Sequence, residues 1–115
     1  MFIDISKTRI YIRPGFTDMR KAINGLSVIV QDEMAMDPFS ANLFLFCNRQ
    51  RKIIKAIYWD KNGFWLLQKR LERQKFPWPD TEEAVEELTS QELTMLLKGI
   101  DFWKAHIAIP YSNIS

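Results

Sequence analysis

The side chains that most suggest chemistry in this sequence are cationic, and they are concentrated in its middle. Residues 49–75 contain nine basic residues against two acidic ones, a net charge of +7, whereas residues 76–115 carry a net charge of −5. Arginine and lysine bind phosphate oxygens, so this pattern favours a polyanion or an acidic protein as partner. The alternative is that the basic and acidic segments neutralise each other within one fold.

Aromatic residues are interleaved with these cations, which adds base stacking to the phosphate hypothesis. Aromatic rings exposed on the same face as basic side chains can stack on unpaired bases. The candidate nucleic-acid-binding residues are Arg49, Arg51, Lys52, Lys55, Trp59, Phe64, Arg70, Arg73 and Lys75. The competing hypothesis is a protein-docking surface, because exposed aromatic residues and arginine are enriched at interface cores.

Residues suited to catalysis or metal binding are scarce. The chain has one histidine, His106, and one cysteine, Cys47, with no paired-ligand spacing, so the sequence predicts no metal site. A nucleophile would require His106 beside Cys47 or a serine, and nothing local supports that arrangement. The four glycines are scattered, so no phosphate-cradling loop is expected. We therefore predict a chain that is not an enzyme, with no catalytic residue, cofactor or small-molecule substrate.

Length and composition are those of a globular protein. The chain has 115 residues, 47% of them hydrophobic, which fits a single domain over 1–115 with its own core. The longest apolar run, residues 43–47, is too short to span a bilayer. A lone cysteine excludes an internal disulfide and fits a reducing compartment, so we expect a cytoplasmic location without membrane contact.

The elements expected to position the cations are a helix and several strands. Apolar residues at helical spacing predict a helix over 18–35, with Thr17 as its N-cap and Asp37-Pro38 ending it. Alternating or β-rich runs predict strands at 9–13, 43–47, 52–59 and 64–71.

Asn62-Gly63 lies between the last two of these strands and predicts a hairpin. A four-residue loop would place Trp59 opposite Phe64, and a two-residue turn would place Lys61 there, but both registers give the same two faces. The face expected to lie under the helix carries Ile54, Ala56, Tyr58, Trp65, Leu67 and Leu71. The opposite face mixes basic and aromatic residues.

The last third of the chain is predicted to form a small helical region. After an extended segment over 76–79, Thr89-Ser90-Gln91-Glu92 matches a capping box, and Gly99 is placed to end the helix that follows. The expected fold class is α+β: a helix packed on an antiparallel sheet of three or more strands, followed by a small acidic helical C-terminal region.

Several segments, taken in order, resemble one known family. They are 18–26 (DMRKAINGL), 37–40 (DPFS), 44–51 (FLFCNRQR), 58–64 (YWDKNGF), 69–72 (KRLE), 76–79 (FPWP) and 88–101. This series is similar to the small Orf2-like accessory protein of bacterial insertion sequences of the IS sixty-six class, over residues 9–103. Lys61 and Gln74 stand where that family often has glycine, and Asn24 where it often has aspartate.

The resemblance implies a non-catalytic accessory factor for DNA transposition that works beside a separate, larger transposase. One hypothesis is that residues 49–75 help assemble that transposase on the DNA ends of the element. The other is that the chain docks on the transposase, or on another accessory protein, without touching DNA. A third reading, a nuclease subunit, would require metal-dependent cleavage by the purified chain.

Overall fold

The computed structural model describes residues 3–81 and 84–103, which are built around one five-stranded mixed sheet. The strands are β1 (Ile10–Ile12), β2 (Leu43–Cys47), β3 (Ile53–Asp60), β4 (Gly63–Arg70) and β5 (Glu86–Leu88). Their order across the sheet is β4-β3-β2-β1-β5, with β1 and β2 parallel and the other neighbours antiparallel.

Two short α-helices accompany the sheet in the described residues. They are α1 (Ile23–Val28), prolonged by a π-helical stretch over Ile29–Glu33, and α2 (Ser90–Leu97). A 3₁₀ turn over Ile5–Lys7 precedes β1. Within residues 3–81 and 84–103, no helix has the length and apolar character needed to cross a membrane.

The predicted fold class, a helix packed on an antiparallel sheet, is wrong as a description of the overall fold. Strand β1 pairs in parallel with β2 and antiparallel with β5, which makes the sheet mixed. Parallel strands are joined by a long crossover, here residues 13–42, so no local turn signal indicates their pairing. Strand β5 has three residues, two of them exposed glutamates, and is too short and polar to show a strand pattern.

Helix α1 also begins later than the apolar spacing predicts. Thr17, the predicted N-cap, is buried: its backbone N–H donates to Cys47 O at 2.8 Å, and its hydroxyl accepts from Arg13 Nη1 at 3.0 Å. Hydrogen bonds from the guanidinium and amide of Arg20 hold the Asp18 carboxylate and lower its pKa to about 2. Because both polar side chains are engaged in this turn, the helix begins only at Ile23.

The predicted hairpin is confirmed. Trp59 lies opposite Phe64 and Asp60 opposite Gly63, so a two-residue loop, Lys61-Asn62, joins β3 to β4. The left-handed backbone conformation falls on Lys61, with φ at 57°, and not on Asn62 or Gly63. The two faces contain the residues that the sequence predicts, because either predicted register preserves them.

Apolar clusters pack on both faces of the sheet. The α1 segment covers the face of Tyr11, Phe44, Phe46 and Ile57 with Leu26, Ile29, Val30 and Met34. The opposite face, which includes Leu43, Leu45, Ile54 and Ala56, is covered by Phe76, Trp78, Leu93, Leu96 and Phe102. The first helix therefore lies on the face opposite to the predicted one, and the Ile54 face is covered by α2 and the 76–79 segment.

The C-terminal helix has the predicted ends. Thr89 Oγ1 accepts from the Glu92 N–H at 3.1 Å, and Glu92 Oε1 accepts from the Thr89 N–H at 2.9 Å, which completes the capping box. Gly99 follows α2 with φ at 77°, a conformation that glycine adopts without strain.

Candidate nucleic-acid interface

Two basic runs that are separate in the sequence meet at one end of the sheet. The β2–β3 turn and the segment after β4 are joined by backbone hydrogen bonds: Leu71 N–H to Lys52 O and Phe76 N–H to Arg51 O, both 2.8 Å. We call this region the cationic end; its basic residues are Arg49, Arg51, Lys52, Arg70, Arg73 and Lys75. Six of the nine predicted residues are therefore brought together.

The β2–β3 turn is held by the side chain of Asn48. Its Oδ1 accepts hydrogen bonds from the N–H groups of Lys52 at 2.9 Å and Ile53 at 3.1 Å. Arg51 adopts left-handed backbone geometry, with φ at 59°, and its N–H donates to Asn48 O. This asparagine allows a tight turn that presents basic residues at the end of a buried strand.

Two of the predicted lysines tie parts of the chain together. Lys52 Nζ donates to the carbonyls of Arg73 and Gln74, each at 2.8 Å. Lys55 Nζ donates to the carbonyls of Met19 at 2.6 Å and Lys21 at 2.9 Å. An ammonium group has three donors, so each lysine has two of them committed to backbone carbonyls.

The arginines of the cationic end differ in their surroundings. Arg51 is half-buried and lines a cavity of about 400 Å³ together with the acidic residues Asp80, Glu86 and Asp101. Arg70 is exposed and forms an ion pair with Glu72 at 2.9 Å.

The remaining cations of this end are exposed to solvent. The Arg49 guanidinium lies 5.5 Å from the centroid of the Phe16 ring, a cation–π contact that orients it. Arg73 and Lys75 are exposed on the segment that follows β4. Phosphate contact requires accessible cations, and these three meet that condition.

Trp59 and Phe64 lie at the other end of the hairpin. Their ring centroids are 5.0 Å apart, and Phe39 contacts both rings, at 5.0 Å from Trp59 and 5.4 Å from Phe64. Arg70 is six positions further along β4 than Phe64, a distance of about 20 Å at the usual rise of a strand. We call Phe39, Trp59 and Phe64 the aromatic cluster. It shares a sheet face with Arg70 but does not adjoin the cationic end.

The groups considered for catalysis are placed as follows. Burial raises the pKa of the Cys47 thiol to about 12, an effect only partly opposed by the positive charge of Arg51. His106 lies outside the described residues. Among residues 3–81 and 84–103, no three side chains of histidine, cysteine, aspartate or glutamate are grouped closely enough to hold a metal ion.

An apolar groove between α2 and the sheet was not predicted from the residue pattern. The groove has a volume of about 660 Å³, and its apolar lining comes from Ile5, Leu43, Leu45, Ile54, Ala56, Leu67, Leu93 and Leu97. Lys69 also lines it and donates to Leu97 O at 2.7 Å. This lining suits contact with apolar side chains rather than acid–base chemistry.

The open side of β4 is a second feature that was missed. Trp65 and Leu66, consecutive residues of this edge strand, are 39% and 36% exposed. The run Phe64-Trp65-Leu66-Leu67 is apolar on both faces of the strand, a pattern that could have indicated contacts on each side.

Comparison with known proteins gives the family. The family model described as "IS66 Orf2 like protein" matches residues 8–107. "Uncharacterized protein y4hO" of Sinorhizobium fredii is 37% identical over 94 residues, which are 82% of each chain. "Uncharacterized protein y4jC" of the same organism is 30% identical over 94 residues, 82% of this chain and 80% of the relative. No solved structure matches the chain. The protein therefore belongs to the IS66 Orf2-like family, a family of transposition accessory proteins and not a known enzyme family.

Proposed function

We propose that this protein is a non-catalytic accessory factor of transposition that contacts the DNA backbone through its cationic end, beside the separate transposase. The observation that carries the proposal is the meeting of the two basic runs, 49–52 and 70–75, at one end of the sheet. Lys52 fastens them to each other through the Arg73 and Gln74 carbonyls. A fixed cluster of positive charge attracts a polyanion more strongly than the same charges dispersed over a surface.

The residues at this end have different roles in the proposal. Arg49, Arg73 and Lys75 are exposed and contact phosphates directly. Lys52 maintains the backbone of the interface, since its ammonium group binds carbonyls of the segment after β4, whereas Lys55 lies outside this end and holds the carbonyls of Met19 and Lys21. Arg51 lines a cavity with three acidic residues and Arg70 is paired with Glu72, so both contribute less to the field.

The test is DNA binding by fluorescence anisotropy across a salt series, with element-end DNA and scrambled DNA. The variant Arg73→Ala/Lys75→Ala removes two proposed phosphate contacts. The matched control Lys7→Ala/Lys61→Ala removes the same charge at the opposite end of the sheet, before β1 and in the β3–β4 loop.

Each lost phosphate contact reduces the slope of log K against log salt by about 0.9, so the first variant should lose a slope of about 2. The control should keep the slope of the unchanged protein. Equal losses in both variants would show a diffuse charge effect, and an absence of binding at low salt would overturn direct DNA contact. Preference for the element end would add sequence or shape recognition.

A second candidate is a protein-docking module without DNA contact, and the aromatic cluster favours it. Phe39 is 56% exposed while contacting both Trp59 and Phe64, and clustered aromatic residues are typical anchors of interfaces. Under this function Phe39→Ala would weaken capture of the purified transposase at least tenfold with little salt dependence. Arg73→Ala/Lys75→Ala would leave that capture unchanged.

A further inference from the structure

Strand β4 has hydrogen-bonding groups directed away from the sheet. The Asn48 N–H donates to Ile53 O, so the backbone groups of residue 53 point towards β2. The Leu71 N–H donates to Lys52 O, so those of residue 52 point towards β4. The side to which the backbone N–H and C=O groups point alternates from residue to residue along an antiparallel strand. With the observed register, the backbone groups of residues 63, 65, 67 and 69 point towards β3. The backbone groups of residues 64, 66, 68 and 70 therefore face the side of β4 on which no strand lies among residues 3–81 and 84–103.

Apolar side chains accompany these groups on both faces of the strand. Trp65 and Leu66 are 39% and 36% exposed, and consecutive residues of a strand point to opposite faces. A helix laid on one face would cover only one of them. A partner strand added at the edge contacts both, so the exposed side chains and the backbone groups favour the same mode of binding.

We propose that the occupant of this edge is β4 of a second copy of the chain, paired antiparallel about a two-fold axis at Leu67. An axis perpendicular to the sheet keeps each face continuous, which requires even-numbered residues to lie opposite even-numbered ones. In this register Phe64 lies opposite Arg70 of the second copy, and Leu66 lies opposite its Gln68.

The distribution of charge along β4 favours a second copy of the chain as the occupant and antiparallel pairing as its direction. The basic residues of β4, Lys69 and Arg70, are both at its C-terminal end. Antiparallel pairing places Arg70 opposite Phe64 of the second copy, within reach of a cation–π contact, and Lys69 opposite its Trp65. It also keeps the two Lys69 residues about 13 Å apart along the strands. In-register parallel pairing would place like charges side by side.

The interface would continue into the apolar groove. Leu67, the residue at the axis, lines that groove, so a second copy adds its own Leu67 where the groove meets β4. The Lys69 ammonium group already donates to Leu97 O at 2.7 Å, so covering this edge would not bury a free ammonium group.

The first test is sedimentation of the full chain over a micromolar to submillimolar series. Gln68→Pro removes an N–H that points away from β3, and proline is tolerated at such edge positions. Gln68→Ala is the matched control, because it keeps the N–H. We expect a dimer for the unchanged chain and for Gln68→Ala, and a monomer with an unchanged circular dichroism spectrum for Gln68→Pro.

A second variant supplies a positive signal that does not depend on proline. Directly opposed residues that do not exchange backbone hydrogen bonds have Cα atoms about 4.5 Å apart, which is within disulfide range. Leu67→Cys should therefore form an intermolecular disulfide under mild oxidation, whereas Lys61→Cys in the hairpin loop should not.

Three results would overturn the proposal. They are a monomer at all concentrations without crosslinking of Leu67→Cys, a dimer that persists in Gln68→Pro with its fold intact, and equal crosslinking of the two cysteine variants. A monomer whose capture of the transposase is lost in Gln68→Pro would assign the edge to that protein instead.

Discussion

Strands β2 and β4 both contain an apolar run, residues 43–47 and 64–67, but the two runs have very different surroundings. All five residues of β2 are buried, whereas none of the eight residues of β4 is. Strand β2 has a neighbouring strand on both sides and apolar clusters on both faces, while β4 is an edge. For these apolar runs the difference comes from topology: β2 holds the fold together, and β4 keeps apolar surface and backbone groups available for contacts.

The largest expected effect concerns the segment that covers β2. Trp78 is 4% exposed and its Nε1 donates to Gly15 O at 2.8 Å and Arg13 O at 3.1 Å. Trp78→Ala should reduce the free energy of unfolding by about 3–5 kcal/mol, because it leaves a cavity and removes two hydrogen bonds to backbone carbonyls. Leu66→Ala on β4 should cost at most about 1 kcal/mol in the dilute chain. Urea denaturation of both variants measures the two losses of unfolding free energy, and equal losses would contradict the contrast between the two strands.

The second effect concerns pH and the buried end of β2. The Cys47 pKa of about 12, against an ordinary value of 9.0, means that the folded chain keeps this proton where the unfolded chain loses it. The stability from the protonated thiol is complete below pH 9 and is lost as the pH rises towards 12, by up to about 1.4 kcal/mol per pH unit.

The measurement is the slope of unfolding free energy against pH, compared between the unchanged chain and Cys47→Ala. The alanine variant should lack this part of the alkaline slope. In the Cys47→Ala background, Gln68→Cys places a thiol on exposed β4. This thiol should not restore the alkaline part of the slope. Restoration there would mean that β4 is as buried as β2.

The smallest effect concerns two glycines, Gly99 after α2 and Gly63 at the start of β4. A Cβ on Gly99, which has φ at 77°, would lie 2.6 Å from Gln74 Oε1, whereas a Cβ on Gly63 would meet nothing within 4 Å. Gly99→Ala should cost about 1–2 kcal/mol, chiefly through its backbone conformation, because the Gln74 side chain can move. Gly63→Ala should stay within about 0.5 kcal/mol. Thermal melts of the two variants measure this contrast, and equal shifts of the melting temperature would refute it.

Locally coded features of the fold could be predicted from the sequence. The Asn62-Gly63 pair predicted the hairpin and therefore the two strand faces, and Thr89 with Glu92 predicted the start of α2. Features that depend on distant residues could not be predicted in this way. The parallel β1–β2 pair spans a long crossover, and the start of α1 depends on contacts of Thr17 with Arg13 and Cys47.

The candidate site shows the same division. The basic character of residues 49–75 is evident from composition, and their meeting at one end follows from the hairpin. The separation of the aromatic cluster from that end was missed, although Trp59 and Phe64 flank the predicted loop. The carbonyls bound by Lys52 and Lys55 belong to segments about 20 and 35 residues away, and sequence spacing does not indicate such partners.

The central claim, that the cationic end contacts DNA, is tested most directly by NMR titration of the ¹⁵N-labelled chain with duplex DNA. The account predicts amide shift changes concentrated in residues 48–52 and 70–75, with the α1 segment and β5 unaffected by the first additions. Changes centred on α1, β5 or the aromatic cluster, with the cationic end unchanged, would contradict it.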